Sequence, residues 1–159
     1  VEAMRTPIGK AIKEAAEEAM MKFPPKEEAG VVVETYCNWG LQHVCKAAGY
    51  VGFHDLNANQ ITKKVAGDWA WAAVEAEAAQ KLSVDGELVI AACAGAQHGH
   101  VATVYPDTRP MPMSGKWGVR APWVANVGKK NEIMGANSAF RDKPKYYVWV
   151  RDPDNQAVS

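Results

Sequence analysis

The sequence lacks an excess of charge of either sign. Its 18 lysines and arginines balance its 18 aspartates and glutamates, so the formal net charge of the 159 residues is zero. Proteins that bind nucleic acids through the phosphate backbone carry a concentrated positive charge. We therefore predict no nucleic-acid partner.

Long hydrophobic runs are also missing. The longest uncharged apolar stretch, Leu88–Ala96, is about half as long as a helix that crosses a bilayer. We therefore predict no membrane span. Apolar residues nevertheless make up 48% of the chain, which is typical of a globular protein and excludes a disordered or fibrous one.

Nucleotide-binding motifs are absent from the sequence. The pair Gly115-Lys116 is followed by Trp117, where a P-loop has the Ser or Thr hydroxyl that binds magnesium. The glycines of Gly95–Gly99 do not have the spacing of a dinucleotide-binding turn and do not lead into a helix. We predict no cofactor.

Cysteine is scarce, with Cys37, Cys45 and Cys93 as its three positions. An odd number leaves at least one thiol free unless it pairs between chains, and it is a poor framework for a disulfide-dependent fold. Cys45 is predicted on the inward stripe of a helix and Cys93 at a strand end. We expect both to be buried and predict no bond between them, so a free thiol is available for chemistry.

Helical periodicity is strongest in the first half of the chain. Apolar residues recur every three or four positions over Pro7–Phe23, and Pro24-Pro25 ends that helix. A helix of about eleven residues is predicted to begin at or near Cys37 and to end before Gly49. A third, rich in alanine, is predicted over Ile61–Leu82, with Gly67 as its weakest point.

Strands are predicted mainly in the second half. After a short extended run at Gly30–Thr35, four strands are predicted, at Glu87–Cys93, His100–Tyr105, Trp123–Val127 and Lys145–Arg151. Helices followed by neighbouring strands indicate an α+β fold with a mainly antiparallel sheet. The connection Asp107–Pro122, which includes SGKWG, and the later stretch NEIMGANSAF are predicted to be loops around a cleft. We predict a single domain over residues 1–159.

Cys37 has the position that a nucleophile needs. A thiol attacks carbonyl groups as the thiolate, and the free amides at a helix start favour that negative charge. His100, at the start of a strand after Gly99, is a candidate base that takes the proton. Asn126, an amide within an apolar strand, is a candidate for orienting the imidazole. Backbone amides near Cys37, with Tyr36 or Asn38, are candidates for binding the oxyanion.

Each of these residues also has a structural interpretation. A cysteine at a helix start is often a small buried apolar side chain, and a strand histidine often has a purely structural partner. Asn126 equally fits a bond to a neighbouring loop. Spacing alone does not decide between the two interpretations.

In these segments the sequence resembles the papain-like cysteine hydrolases of bacterial cell walls, in particular the CHAP and NlpC-like families. A cysteine opens a helix in TYCNWGLQHVCKAAGY, a Gly-His pair opens a strand in GHVATVYP, and a polar residue follows on the next strand in WVANVG. The Cys-Asn pair is closer to CHAP members than to NlpC-like ones, which usually have Asp-Cys-Ser. The resemblance spans about Val31–Val150. The long connection after the second strand and the additional amino-terminal helix depart from the family pattern.

The resemblance implies a papain-like fold, with residues 1–30 as a helical extension and 31–151 as the core. It also implies an enzyme that cleaves amide bonds of peptidoglycan, as an N-acetylmuramoyl-L-alanine amidase or a stem-peptide endopeptidase. The family's nucleophile falls on Cys37, its base on His100 and its variable third residue on Asn126. A thioester acyl-enzyme is the implied intermediate, peptidoglycan or a peptide the implied substrate, and the cell wall, reached by a secreted or periplasmic protein, the implied place of action.

Two other functions stay open. His98 and His100 form a His-x-His pair that, with Cys93 or Asp107, is compatible with a zinc hydrolase. A catalytically silent papain-like binding module is the other alternative. Four tryptophans are candidates for lining a substrate groove, although Trp69 and Trp71 are predicted to be core residues instead. The four are Trp39, Trp69, Trp71 and Trp117.

Overall fold

The computed structural model describes residues 6–150, which form five helices and eight strands. None of the helices in this range is long and apolar enough to cross a membrane. The helices are α1 (Pro7–Lys22), α2 (Cys37–Ala48), α3 (Ala58–Gly67), α4 (Ala76–Val84) and α5 (Ala136–Ala139). The strands are β1 (Lys26–Glu28), β2 (Val31–Glu34), β3 (Trp71–Val74), β4 (Val89–Cys93), β5 (His100–Val104), β6 (Trp123–Asn126), β7 (Glu132–Gly135) and β8 (Lys145–Trp149).

The strands form two sheets. β1 and β2 pair as a small hairpin, and the other six form a sheet in the order β3-β8-β4-β5-β6-β7. Neighbouring strands in this sheet are antiparallel. The predicted α+β class with a mainly antiparallel sheet is therefore confirmed.

Both faces of the large sheet are covered, which explains why β4 is apolar throughout. Ile90 and Ala92 belong to a buried cluster with residues of α1, α2 and α3. Val89 and Ala91, on the opposite face, belong to a second cluster with residues of α4 and α5. Successive side chains of a strand point to opposite faces, so a strand between two layers needs apolar residues at every position.

Local signals determine the ends of α1 and α2. The Thr6 hydroxyl accepts a hydrogen bond from the Gly9 amide at 3.0 Å, and Pro7 occupies the first turn, where its missing N–H has no cost. Helix α2 starts at Cys37 and stops before Gly49, whose φ of +98° is the left-handed conformation that glycine adopts without strain. Both predicted helices are confirmed within about one residue.

The predicted helix over Ile61–Leu82 is wrong. Helix α3 begins earlier, with a capping box between Asn57 and Gln60, and ends at Gly67. The Asp68 carboxylate accepts a hydrogen bond from the Ala70 amide, which turns the chain into β3. β3 then pairs with β8 over its four residues. Long-range pairing therefore outweighs the helix propensity of this alanine-rich segment.

Several further predictions are also corrected. Most of NEIMGANSAF is not a loop: it forms β7, at the edge of the sheet, and the short helix α5. Trp71 is buried as predicted, but Trp69 is 74% exposed. Cys45 is buried, whereas Cys93 is only partly buried, and all three cysteines are free thiols. The last residue of the predicted strand Lys145–Arg151 lies outside the described residues.

Candidate active site

Cys37 is the first residue of α2, two residues beyond Thr35, which follows the exposed end of β2. Its side chain is 9% exposed and belongs to the buried cluster beneath the sheet. Burial raises the pKa of the thiol, and it outweighs the opposing effect of the backbone amides of Val101, Asn38 and Cys37, which favour the thiolate. The expected lowering of this pKa by the helix start is therefore wrong for the unliganded protein.

Cys37 and Val101 line the same small void between α2 and β5, so the start of α2 packs against this strand. Val101 is the second residue of that strand and directly follows His100. The nucleophile candidate on the helix thus meets the sheet one residue from the base candidate. That the Cys37 sulfur reaches the His100 imidazole stays a prediction.

His100 is the first residue of β5, paired across the sheet with Cys93. Its imidazole contacts the ring of Phe140, with 4.7 Å between the ring centroids. Burial lowers the pKa of His100, and the hydrogen bond with Asn126 opposes that shift. The imidazole is therefore neutral at pH 7, which is the form that accepts a proton.

Asn126, the last residue of β6, contacts His100 directly. Its Oδ1 atom lies 2.6 Å from His100 Nε2, and its Nδ2 atom donates to the carbonyl of Lys130 at 2.8 Å. The second bond fixes which side of the carboxamide faces the ring, so Oδ1 is the acceptor and Nε2 carries the proton. In the neutral ring the free lone pair is then on Nδ1, where a proton from a thiol can be received.

A glycine makes room for this pair. A Cβ atom at Gly128 would lie 3.3 Å from Asn126 Nδ2 and 3.4 Å from His100 Cε1. The first distance is tighter than ordinary van der Waals contact and the second is at its lower limit, so a side chain here would press on Asn126 and touch the His100 ring. The segment WVANVG therefore supplies both the orienting amide and the space around it.

Tyr36 and Asn38 flank Cys37 in different ways. The Tyr36 ring stacks on Trp39, with centroids 4.8 Å apart and an angle of 11° between the planes. Burial and, to a smaller extent, nearby Glu34 raise the pKa of the Tyr36 hydroxyl. The Asn38 side chain donates to the Leu56 carbonyl at 3.2 Å. Asn38 therefore contributes its backbone N–H to the site, while its side chain holds the loop before α3.

A cavity of about 450 Å³ opens beside these residues. It lies between the end of the β1–β2 hairpin, the first turn of α2 and the loops before β5 and after β6. One aromatic platform, one acid and two basic side chains line it, so it has both apolar and polar surfaces. The lining residues are Val32, Val33, Glu34, Thr35, Tyr36, Asn38, Trp39, His98 and Lys129.

Two contacts near His100 were not predicted from the sequence. Asn59 on α3 bonds both backbone polar groups of Gly95 at 3.0 Å and lies against Gly99, so it holds the loop that leads into β5. Lys116, in the SGKWG loop, donates to the Phe140 carbonyl at 2.8 Å and supports the ring beside His100. Neither residue has a sequence signal, because each acts on a partner far along the chain.

The His-x-His pair does not assemble a metal site among the described residues. His98 lies in the loop before β5 and is exposed, and the Asp107 carboxylate binds Arg109 at 2.7 Å. Within residues 6–150, no three His, Cys, Asp or Glu side chains are grouped so that they could hold a metal ion.

The chain was also compared with known proteins. No family model matches it, and no curated protein sequence matches it.

Proposed function

We propose that this protein is a cysteine-dependent amide hydrolase of papain-like architecture that acts on bacterial peptidoglycan. The observation that carries the proposal is the 2.6 Å hydrogen bond between His100 and Asn126. The helix that starts at the Cys37 thiol packs against β5, the strand that carries His100. A nucleophile, a base and a residue that orients the base are the three roles that acyl transfer requires. The sequence resemblance supplies the substrate class.

The mechanism follows from the protonation states. As the Cys37 sulfur attacks the amide carbonyl, its proton passes to Nδ1 of neutral His100. The new C–S bond places negative charge on the carbonyl oxygen, and the backbone N–H groups of Cys37 and Asn38 are suitable donors for it. The imidazolium then protonates the leaving amine as the C–N bond breaks, which leaves a thioester. Water, deprotonated by His100, hydrolyses the thioester and restores the thiol.

Burial defines the resting state of this enzyme. The pKa of Cys37 is raised and that of His100 is lowered, so at neutral pH both groups are uncharged in the absence of substrate. The proton therefore moves during attack rather than beforehand, as in serine hydrolases.

The decisive experiment is digestion of purified peptidoglycan followed by mass analysis of the released fragments. A muramoyl-L-alanine amidase separates whole stem peptides from the glycan, and an endopeptidase shortens the stems. Cys37→Ala is the matched control and should release nothing. Equal release by the unmodified protein and Cys37→Ala would contradict a thiol mechanism.

A second candidate function is a silent binding module of the same architecture. The low exposure of the Cys37 sulfur and its raised pKa favour it, because a nucleophile must be both reachable and deprotonated. Co-sedimentation with peptidoglycan separates the two functions. Binding without any fragment release, unchanged in Cys37→Ala, is the outcome expected of the module.

A further inference from the structure

The carboxyl end of α1 is joined to the turn that follows β6 by one side chain. The Nδ2 atom of Asn131 donates to the carbonyls of Met20 at 3.0 Å and Phe23 at 2.8 Å. Its Oδ1 atom accepts a hydrogen bond from the Gly128 amide at 2.9 Å. Asn131 thus uses both amide hydrogens and its oxygen in a single bridge between two distant parts of the chain.

The same turn holds the residue that orients the base. The Lys130 carbonyl, adjacent to Asn131, accepts the hydrogen bond from Asn126 Nδ2. Asn126 Oδ1 in turn bonds His100 Nε2. A continuous series of hydrogen bonds and short backbone segments therefore runs from α1 through residues 126–131 to the imidazole.

We propose that Asn131 is a positioning residue, which fixes the turn at residues 127–131 against α1 and thereby keeps Asn126 in the orientation that sets the tautomer of His100. The expected effect of Asn131 on catalysis rests on the proposed function, whereas its expected effect on the tautomer of the imidazole does not. This role of Asn131 would also make α1, the amino-terminal helix that departs from the family pattern, part of the support of the site.

The geometry favours positioning over simple helix capping. The last carbonyls of a helix lack intrahelical partners, and at a protein surface water satisfies them. Here they are bound by a side chain that also accepts from Gly128, the glycine packed against both Asn126 and His100. Loss of the bridge therefore frees the segment that carries the Lys130 carbonyl, and Asn126 loses the contact that selects its orientation.

The test combines two variants with a matched control. Asn131→Ala removes the whole bridge, and Asn131→Asp keeps an acceptor for Gly128 but cannot donate to α1. Ser83→Ala is the control, because it removes a buried hydrogen bond to the Val104 carbonyl in β5 at a distance from the imidazole. The ¹⁵N shifts of His100 report the tautomer directly, and kcat and KM on peptidoglycan report the reaction.

We expect the unmodified protein and Ser83→Ala to hold the proton on Nε2. In Asn131→Ala both tautomers should be populated, and kcat should fall at least about tenfold with KM unchanged. The tautomer populations and kcat of Asn131→Asp should lie between those of the unmodified protein and those of Asn131→Ala. The proposal is overturned if both Asn131 variants keep the original tautomer, or if Ser83→Ala changes it as much.

The outcome is separable from the proposed function. If the unmodified protein releases no peptidoglycan fragments but Asn131→Ala shifts the tautomer, the hydrolase proposal fails and the positioning role of Asn131 is upheld. If hydrolysis is observed and neither the tautomer nor kcat changes in either Asn131 variant, the hydrolase proposal stands and the positioning role is excluded.

Discussion

Gly40 and Val127 bring α2, the helix that starts at Cys37, and the end of β6 into close contact. A Cβ atom built at Gly40 would lie 2.7 Å from Cγ2 and 2.9 Å from Cβ of Val127. Gly40 is on the first turn of α2, three residues after Cys37, and Val127 directly follows Asn126. The absence of a side chain at residue 40 thus determines how closely two parts of the candidate site approach.

Gly40→Ala should therefore be destabilising, by about 1–3 kcal/mol, because overpacking exceeds the gain in helix propensity of up to about 1 kcal/mol. The second member of the pair supplies the control. In Gly40→Ala/Val127→Ala the contacts with the two Val127 methyl groups are gone and only the 2.9 Å contact with Cβ remains. The clash is therefore partly relieved, and the double variant should be more stable than the sum of the single changes predicts. Urea unfolding of the four proteins measures this coupling, and additive single effects would contradict it.

Cys37→Ala should abolish hydrolysis and change the free energy of unfolding by less than about 1 kcal/mol, because it removes one sulfur atom at the margin of the core. Cys45 is the matched control, since it lies on the same helix and is fully buried. Cys45→Ala should keep its activity but lose about 1 kcal/mol of stability or more, because it leaves a cavity. Thermal unfolding and fragment release measure both effects. Activity retained in Cys37→Ala would be incompatible with the proposed nucleophile.

Asn126→Ala should lose most, but not all, activity, because the imidazole keeps its place in β5 but not its fixed tautomer. It should also lose about 1–3 kcal/mol of stability, since the Lys130 carbonyl and the His100 ring lose their partner. Asn126→Asp offers an acceptor to Nε2 and a negative charge that favours imidazolium. Its rate should therefore need a higher pH to reach a plateau, and an unshifted pH profile would count against a contact with the base.

The pH dependence of stability should report the burial of His100. Because its pKa is lowered in the folded protein, the unfolded chain binds more protons below the ordinary histidine pKa of about 6.5. The free energy of unfolding therefore decreases as the pH falls from about 6.5 through the lower pKa that His100 has in the folded protein. His100→Gln should lose less stability than the unmodified protein between pH 7 and 5. His54→Gln, at an exposed position, should follow the unmodified protein.

Trp39 should contribute to substrate binding rather than to chemistry. It is 49% exposed, lines the cavity beside Cys37 and stacks on Tyr36. Trp39→Ala should raise KM by roughly twofold to tenfold with kcat unchanged, which matches the strength of a single aromatic contact. Trp69→Ala, a more exposed tryptophan that does not line this cavity, should leave KM unchanged. A fall in kcat alone in Trp39→Ala would place this residue in the reaction instead.

Local signals were sufficient for a large part of the fold. Local sequence features determine four elements. Two prolines after Phe23 end α1, Gly49 ends α2, and the apolar runs around Ile90 and Val101 form β4 and β5. Segments whose structure depends on distant partners were not predictable in this way. β3 is extended because β8 pairs with it, and β7 is a strand because β6 offers a free edge.

The residues of the candidate site fall into the same two groups, those with a local sequence signal and those that depend on distant partners. The places of Cys37, His100 and Asn126 on their elements were predictable, because each has an unusual residue type for a helix start, a strand start or an apolar strand. Of their predicted contacts, the structure shows the one between His100 and Asn126. The contacts of Asn59 with Gly95, Lys116 with Phe140 and Asn131 with Met20 join residues 24 to 111 positions apart. The direction of the Cys37 pKa shift was also unpredictable, because it depends on how deeply neighbouring layers cover the sulfur.

The protonated state of that sulfur has a chemical consequence beyond turnover. Peroxides oxidise cysteine through the thiolate and need direct access to it, and both are limited at Cys37. Sulfenic acid should therefore form slowly at this position. In the proposed mechanism Cys37 becomes reactive only during attack on the substrate, and such a thiol would resist oxidation where no reductants protect it.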